Sequence, residues 1–257
     1  MDLFHAIILG LVEGITEFLP ISSTGHLMLS ARLLGLSQTD FLKSFEIAIQ
    51  LGAILAVVAL YARTVFTNWE VIKRIIVAFI PTGILGLLFY KIVKTYLLGS
   101  NAVVVWSLLI GGAILIIFEL WHKEREGSVK DLAELTYPQA LLIGLFQSVA
   151  MVPGVSRAAA TIVGGLILGV SRTAIVEFSF LLAIPTMAAA TALDLFKNIS
   201  LFSASQLDFL AVGFVTAFIA AIIAIKFLLK FIQNHTFIPF GIYRIIIALI
   251  FLFIFTI

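Results

Sequence analysis

Long apolar runs are the feature that most limits what this chain of 257 residues can fold into. A helix needs about 20 mostly apolar residues to cross the hydrocarbon core of a bilayer. Six stretches approach that length: 45–62, 75–90, 102–121, 173–195, 207–232 and 238–257. Hydrophobic residues make up 62% of the chain and charged residues 12%, against about 45–50% and about 25% in soluble domains. The sequence therefore predicts an all-α polytopic integral membrane protein, with residues 1–257 forming a single membrane domain.

Two further apolar regions, 3–36 and 140–170, are interrupted midway, and neither half of either region is long enough to cross. The first is broken at 18–25 and the second at 152–156. Proline, glycine and hydroxyl residues in such a run free backbone groups that only a protein-lined or wet cavity can satisfy. We therefore expect two re-entrant helix–loop–helix pairs beside the six transmembrane helices.

The two broken regions match in sequence when one is moved along the chain by a constant number of residues, which places Glu13 on Gln147 and Ser22 on Ser156. We call this constant offset the repeat shift. This repeat shift predicts an internal duplication, with repeat one at about 1–121 and repeat two at about 140–257. Each repeat would hold one re-entrant pair and three spans. An odd number of crossings inverts the second copy, so the broken helices are expected to meet near the membrane midplane.

Lys and Arg are distributed unequally between the two predicted sides of the membrane. Ten lie on the side of loops 63–74, 122–139 and 226–237: Arg63, Lys73, Arg74, Lys123, Arg125, Lys130, Arg172, Lys226, Lys230 and Arg244. Five lie on the other side: Arg32, Lys43, Lys91, Lys94 and Lys197. Because cytoplasmic loops carry the excess of positive charge, we expect both termini and the mouth of the first re-entrant pair to face outside.

Segment 13–26 concentrates the side chains that can do chemistry. Glu13 and Glu17 share one helix face if the helix persists, and paired carboxylates suit a divalent cation. Hydroxyl residues, a glycine and a histidine follow them: Ser22, Ser23, Thr24, Gly25 and His26. Arg157, in the second broken region, offers a cationic fork suited to phosphate oxygens. Together these side chains predict a phosphoryl-transfer site.

Each of these groups also has a structural interpretation. Glu13 and Glu17 can form a buried network or the proton relay of a transporter. Ser156 can be only a helix N-cap, and Arg157 only a structural arginine. Two further polar residues either line the cavity or bond between helices: Glu46 and Gln50.

Two segments carry a resemblance to a known family. The first is Glu13-Gly-Ile-Thr-Glu-Phe-Leu-Pro-Ile-Ser-Ser-Thr-Gly-His26, and the second is Pro153-Gly-Val-Ser-Arg157 followed by Thr161. Both resemble signatures of the bacitracin-resistance family of undecaprenyl-diphosphate phosphatases, and the resemblance covers essentially the whole chain. One departure is the pair Ala158-Ala159, which stands where the family usually has Ser-Gly.

The resemblance implies a multi-pass enzyme of the bacterial plasma membrane with its active site facing outside. Such an enzyme removes the terminal phosphate of undecaprenyl diphosphate, recycles the lipid carrier of cell-wall synthesis and confers bacitracin resistance. It implies a divalent cation, Mg²⁺ or Ca²⁺. The expected partners are a polyprenyl diphosphate lipid and the bilayer, not nucleic acid; the oligomeric state is open, with a homodimer as one option.

On this basis we expect Ser23 to attack the phosphate with His26 as acid or base. Two versions stay open, in which His26 is the nucleophile or activates water. Glu13 and Glu17 are expected to hold the cation, and Glu17 also belongs to the catalytic group. The expected substrate-binding residues are Ser22, Thr24, Gly25, Ser156, Arg157 and Thr161. The alternative function is a transporter or flippase of the polyprenyl phosphate carrier that uses the same site.

Overall fold

A computed structural model describes residues 1–37, 39–97, 100–124, 127–198 and 206–256. Within these ranges the regular structure is helical, apart from one isolated bridge between Val129 and Val170. The α-helices in chain order are α1 (Leu3–Thr16), α2 (Ser23–Leu33), α3 (Asp40–Leu60), α4 (Ala62–Thr67), α5 (Trp69–Ile92), α6 (Asn101–Trp121), α7 (Tyr137–Ser148), α8 (Arg157–Ile167), α9 (Arg172–Asn198), α10 (Leu207–Phe231) and α11 (Ile238–Thr256). A π-helical turn follows α5, and 3₁₀ turns lie at Leu132–Glu134 and Val149–Met151.

Five described helices are long and apolar enough to cross a membrane: α3, α5, α6, α9 and α10. Large apolar side chains such as Leu87, Trp121 and Ile223 lie exposed on their outer faces, where a bilayer rather than protein would cover them. The predicted all-α polytopic membrane fold is therefore confirmed. Helix α11 is also apolar but has a shorter described span, Ile238–Ile254, so the sixth crossing stays a prediction.

Two spanning helices begin earlier than the apolar runs predicted. Helix α3 begins at Asp40 because the Thr39 hydroxyl accepts a hydrogen bond from the N–H of Leu42, at 3.2 Å. Helix α5 begins at Trp69 because the Asn68 side chain accepts one from the N–H of Val71, at 3.3 Å. The expected starts at 45 and 75 were wrong because each helix is capped ahead of its apolar run, in a stretch that contains charged residues such as Lys43 and Glu70.

Both breaks lie between helices, but they begin earlier than predicted. Helix α1 ends at Thr16 and α2 begins at Ser23, so residues 23–25 belong to a helix and not to the expected loop. The second break runs from the end of α7 at Ser148 to the start of α8 at Arg157 and includes a 3₁₀ turn. Hydropathy does not predict where α2 and α8 begin, because capping hydrogen bonds set those starts.

The backbone of the two breaks repeats at the same shift that relates their sequences. Ser22 and Ser156 are the only non-glycine residues with positive φ in the described chain, at 73° and 76°. Each is the N-cap of its helix: the Ser22 hydroxyl accepts from the N–H of Gly25, and the Ser156 hydroxyl from that of Ala159. Helices α2 and α8 are both 11 residues long. The arrangement of the repeats in a membrane stays a prediction.

Helices of the two halves of the chain pack on each other. Helix α1 packs on α10 and α7 packs on α5, while α3 contacts both α10 and α9, and α6 pairs with α11. Small residues allow these contacts: a Cβ at Gly10 would meet the carbonyl oxygen of Gly213 at 2.5 Å, and one at Gly144 would collide with that of Ala78. This packing places the two breaks side by side in the interior.

Replacing Gly144 by Val should destabilise the fold by about 1–3 kcal/mol, because overpacking against a backbone carbonyl forces two helices apart. Thermal unfolding in detergent micelles measures the effect. Gly86→Ala is the control, since a Cβ there meets nothing within 4 Å and alanine favours a helix by about 0.5–1 kcal/mol. Equal melting temperatures for Gly144→Val and Gly86→Ala would contradict the close packing of α7 on α5.

Candidate active site

A cavity of about 200 Å³ lies where the two breaks meet. Side chains from both halves of the chain line it: Glu17, Ser22, Ser23, Thr24, Gln50, Thr82, Gln147, Ala150, Met151, Pro153, Gly154, Ser156, Arg157, Thr186 and Met187. Sequence reasoning assigned residues of two separate segments to one site. Six of these residues lie in the cavity wall: Glu17, Ser22, Ser23, Thr24, Ser156 and Arg157. Gln50 also lines the cavity, which decides between its two interpretations.

The carboxylate of Glu17 is the junction of the site. Its Oε2 accepts a hydrogen bond from the Ser23 hydroxyl at 2.5 Å, and its Oε1 accepts one from Nη2 of Arg157 at 3.3 Å. All three side chains are largely buried, and the carboxylate is only 7% exposed. A buried ion pair of this kind depends on good geometry and on further hydrogen bonds. Glu17 therefore couples the Ser23 hydroxyl, at the start of α2, to the Arg157 guanidinium, at the start of α8.

Arg157 is held in place from several sides. Its Nη1 donates to the Ser179 carbonyl at 2.7 Å, and its guanidinium lies over the Phe18 ring, 5.8 Å from the centroid. Its Nε is buried and has no hydrogen-bond partner among the described residues. A buried donor without a partner is costly, and the described protein groups leave this one unsatisfied.

Two helix N-termini open onto the same cavity. The N-caps of α2 and α8, Ser22 and Ser156, both line it. The first backbone N–H groups of a helix lack intrahelical partners, and the helix dipole favours negative charge there. Together with Arg157, the two N-termini make the cavity suited to an anion such as a phosphate group.

Glu13 lies one helical turn before Glu17 and is 0% exposed. The charged groups that face it are Glu17, Glu46 and Arg157, and neither of its oxygens accepts a hydrogen bond from a described residue. Among the described residues no three His, Asp or Glu side chains are grouped as a ready-made metal site. The two Glu13 oxygens without donors, next to the Glu17 carboxylate, nevertheless fit Mg²⁺, which is commonly bound through one or two carboxylates, waters and substrate phosphates.

His26 lies beside the cavity wall and contacts other groups than the predicted nucleophile. Its Nδ1 lies 2.7 Å from the Ser22 carbonyl oxygen and its Nε2 lies 2.9 Å from the Tyr243 hydroxyl. A carbonyl only accepts, so Nδ1 carries a proton and Nε2 is free to accept from Tyr243. The structure thus pairs Ser23 with Glu17 rather than with His26, and the acid–base role of His26 stays a prediction.

Two other predicted binding residues do not line the cavity. Gly25 packs against Leu108, and the Thr161 hydroxyl is bonded to the Ser179 hydroxyl at 2.6 Å and to backbone carbonyls of its own helix. Ala158 is fully buried in the apolar core. A hydroxyl at position 158 would thus enter the core, so the departure from the family pattern removes no group from the cavity wall.

Sequence reasoning missed a neutral polar part of the cavity wall. Nε2 of Gln147 donates to the hydroxyls of Thr82 and Thr186 at 2.9 and 3.0 Å. The duplication offered a signal for it, because the repeat shift places Glu13 on Gln147. The threonines carried no signal, since they lie inside spanning helices that are otherwise apolar.

Sequence reasoning also placed Arg244 wrongly, at a membrane border. Arg244 is 0% exposed and lies against both breaks, where its guanidinium donates to backbone carbonyls. A charge inside a membrane protein needs such partners to offset its desolvation. Without Arg244, nine rather than ten Lys and Arg residues remain at the membrane border on the side of loops 63–74, 122–139 and 226–237.

The helical bundle defines a polytopic membrane protein, and the polar cavity inside the bundle has the chemistry to suit an anion. A family model described as bacitracin resistance protein BacA matches residues 6–250, so the chain belongs to that family. Proteins named undecaprenyl-diphosphatase are similar over 98% of this chain and 98% of their own length. They come from Sulfurihydrogenibium sp. (56% identical), Wolinella succinogenes (54%) and Aquifex aeolicus (52%).

Substitutions at Ser156 should separate its capping role from its backbone conformation. Ser156→Ala loses the cap and should cost about 1 kcal/mol of stability, and the alanine is still strained by the positive φ. Ser156→Gly also loses the cap but removes that strain, which is worth about 1–3 kcal/mol. We expect the glycine variant to melt above the alanine variant, and the same order at Ser22. The reverse order at both positions would contradict the positive φ of the two N-caps.

Proposed function

We propose that this protein hydrolyses undecaprenyl diphosphate to undecaprenyl phosphate and inorganic phosphate. The observation that carries the proposal is the contact series from the Ser23 hydroxyl through the Glu17 carboxylate to the Arg157 guanidinium, at 2.5 and 3.3 Å. A nucleophile, a proton acceptor and a cation for phosphate are thereby present in one cavity. The names of the similar proteins supply the substrate.

In the first step, the Ser23 oxygen attacks the terminal phosphorus and its proton passes to Glu17. The bond between that phosphorus and the bridging oxygen breaks, so undecaprenyl phosphate leaves with the bridging oxygen and its electron pair. The phosphoryl group stays on Ser23. The proton on Glu17 then passes to the bridging oxygen of the departing undecaprenyl phosphate, which restores the carboxylate. In the second step, water attacks this phosphoserine, and Glu17 takes one proton of the water. Glu17 passes this proton to the Ser23 oxygen as the bond between that oxygen and phosphorus breaks, and inorganic phosphate is released.

Charge stabilisation comes from both halves of the chain. Arg157 and the N-termini of α2 and α8 meet the negative charge that spreads over the phosphoryl oxygens. Glu13 and Glu17 would hold a divalent cation, Mg²⁺ or Ca²⁺. When bound, such a cation neutralises phosphate charge and polarises the phosphoryl oxygen. His26, fixed by Ser22 and Tyr243, supports the first turn of α2 and remains the competing acid or base.

The proposed location is the bacterial plasma membrane, with the cavity open to the outside. It is supported by the excess of positive charge on loops 63–74, 122–139 and 226–237, which stays in place without Arg244. One charge of that count, Arg125, lies outside the described residues, as do the side chains of Lys94 and Lys197 on the opposite side. Bacitracin resistance and a homodimeric assembly remain expectations.

Transport of the polyprenyl phosphate carrier is the less favoured function. A transporter needs broken helices and a phosphate site, both of which are compatible with this fold. It does not need a serine hydroxyl hydrogen-bonded to a buried carboxylate, and the relatives at 52–56% identity carry the name of a phosphatase. Hydrolysis accounts for the hydrogen bond between Ser23 and Glu17, and transport does not.

Ser23→Ala should reduce phosphate release from undecaprenyl diphosphate by at least about 1,000-fold, because removing the nucleophile leaves only binding and electrostatic stabilisation. Purified protein in nanodiscs with Mg²⁺ gives the rate. Thr216→Val is the matched control, since among the described residues the Thr216 hydroxyl bonds only to a carbonyl of its own helix, and Thr216 is not in the cavity wall. Rapid quench followed by mass spectrometry should find the phosphoryl group on Ser23.

A phosphoryl group trapped on His26 would assign the nucleophile to that residue instead. If no covalent intermediate forms and Ser23→Ala keeps its activity while His26→Ala loses it, water activated by His26 is the nucleophile. No phosphate release from folded wild-type protein with Mg²⁺ or Ca²⁺ would overturn the phosphatase proposal and favour transport.

Glu13→Gln should raise the Mg²⁺ concentration needed for half-maximal activity at least about tenfold, since losing a ligand weakens a site by no less than losing an outer-shell partner. Titration calorimetry of Mg²⁺ should show the same loss of affinity. Glu70→Gln, at an exposed carboxylate paired with Lys73 and Arg74, is the control and should leave both values unchanged. An unaltered Mg²⁺ affinity in Glu13→Gln would mean that Glu13 belongs to a structural network.

A further inference from the structure

Arg244 of α11 is the largest fully buried side chain in the described chain, and the proposed reaction does not use it. Its Nη1 donates to the carbonyls of Pro20 and Val155, at 3.3 and 2.9 Å. Its Nη2 donates to the carbonyls of Gly154 and Ser107, at 3.0 and 2.9 Å. One guanidinium thus joins the first break, the second break and helix α6.

Three of the four carbonyls that Arg244 reaches are backbone groups that the two breaks set free, and the fourth, that of Ser107, belongs to α6. Pro20 lies in the first break, and Gly154 and Val155 lie in the second. In an apolar interior such carbonyls need a donor, since each one left without a partner costs free energy. A planar guanidinium can donate to several oxygens in fixed directions. The bond pattern therefore fixes the first break relative to the second.

Glycines make room for this guanidinium. A Cβ at Gly111 of α6 would lie 2.8 Å from Cζ of Arg244. Gly154 has a φ of +93°, and a Cβ there would lie 2.8 Å from Cβ of Ser107 and from the carbonyl oxygen of Val104. Both positions therefore require glycine for the guanidinium and its carbonyl partners to meet.

The residue before Arg244 also contacts the site. The Tyr243 hydroxyl bonds to Nε2 of His26 at 2.9 Å, and the two rings stack with centroids 5.4 Å apart. Helix α11 thus supports the first turn of α2 through Tyr243 and both breaks through Arg244. The nucleophile and the phosphate-binding cation stand at the ends of those breaks, Ser23 one residue after Ser22 and Arg157 one residue after Ser156.

We infer that Arg244 is a positioning residue that sets the spacing between Ser23 and Arg157 without touching the substrate. The inference rests on the proposed function for its kinetic consequence, but its structural consequence can be measured separately. Because reactions between aligned groups lose about 100-fold in rate for a displacement of about 1 Å, a shift of one break against the other should lower kcat strongly.

The test compares Arg244→Lys, Arg244→Met and Gly111→Ala in full-length protein in nanodiscs, with Gly86→Ala as control. Hydrogen exchange by mass spectrometry should rise at least about tenfold in residues 17–22 and 152–157 and stay unchanged in α5 and α10. We expect kcat to fall about 10–100-fold, which is a larger factor than the rise in KM. The Arg244→Lys variant should be less impaired than the Arg244→Met variant.

Gly111→Ala tests the same role with the arginine retained, in case Arg244→Met does not fold. It should lower kcat in the wild-type chain and have little further effect in the Arg244→Lys chain, because coupled residues are not additive. Additive effects, or exchange that rises equally throughout the protein, would overturn the inference. If wild-type protein releases no phosphate, the proposed function fails, and the exchange comparison still tests Arg244.

Discussion

A helix that breaks inside an apolar bundle leaves backbone amides and carbonyls that neither lipid nor apolar side chains can satisfy. In this protein two such breaks lie side by side and are satisfied largely by protein groups. Ser22 and Ser156 cap the helices that follow the breaks, and Arg244 donates to the carbonyls within them. The backbone groups freed by the two broken helices are thus hydrogen-bonded within a polar interior.

That interior can bind an anion because the helices that follow the breaks both present their N-termini to one cavity. The electrostatic balance depends on Glu17, which accepts hydrogen bonds from Arg157 and Ser23 at once. A carboxylate held this way is oriented toward a hydroxyl proton and at the same time balances the charge of Arg157. Neither half of the chain has this arrangement alone, so the interlocked packing of the halves is a condition of the proposed chemistry.

Much of the fold was predictable because membrane-spanning helices follow from hydropathy, and the breaks follow from Pro and Gly in apolar runs. Helix starts were less predictable: α3 and α5 begin ahead of their apolar runs, at the N-caps Thr39 and Asn68, which hydropathy does not register. The site residues were predictable as types, since Glu17, Ser23 and Arg157 are polar groups in runs that should be apolar. Their partners were not, as the pairing of Ser23 with Glu17 depends on how the first break turns.

The sequence by itself determined the membrane class, the two breaks, the repeat shift that relates them and the chemical kinds of side chain available for phosphate. Only the tertiary structure decided which of these side chains meet. It directs His26 toward Tyr243, turns Thr161 into the core and brings Arg244 from an expected membrane border to the centre of the protein. The physical reason is that hydropathy and spacing report local structure, whereas the partners of a buried polar group come from helices far away in the chain.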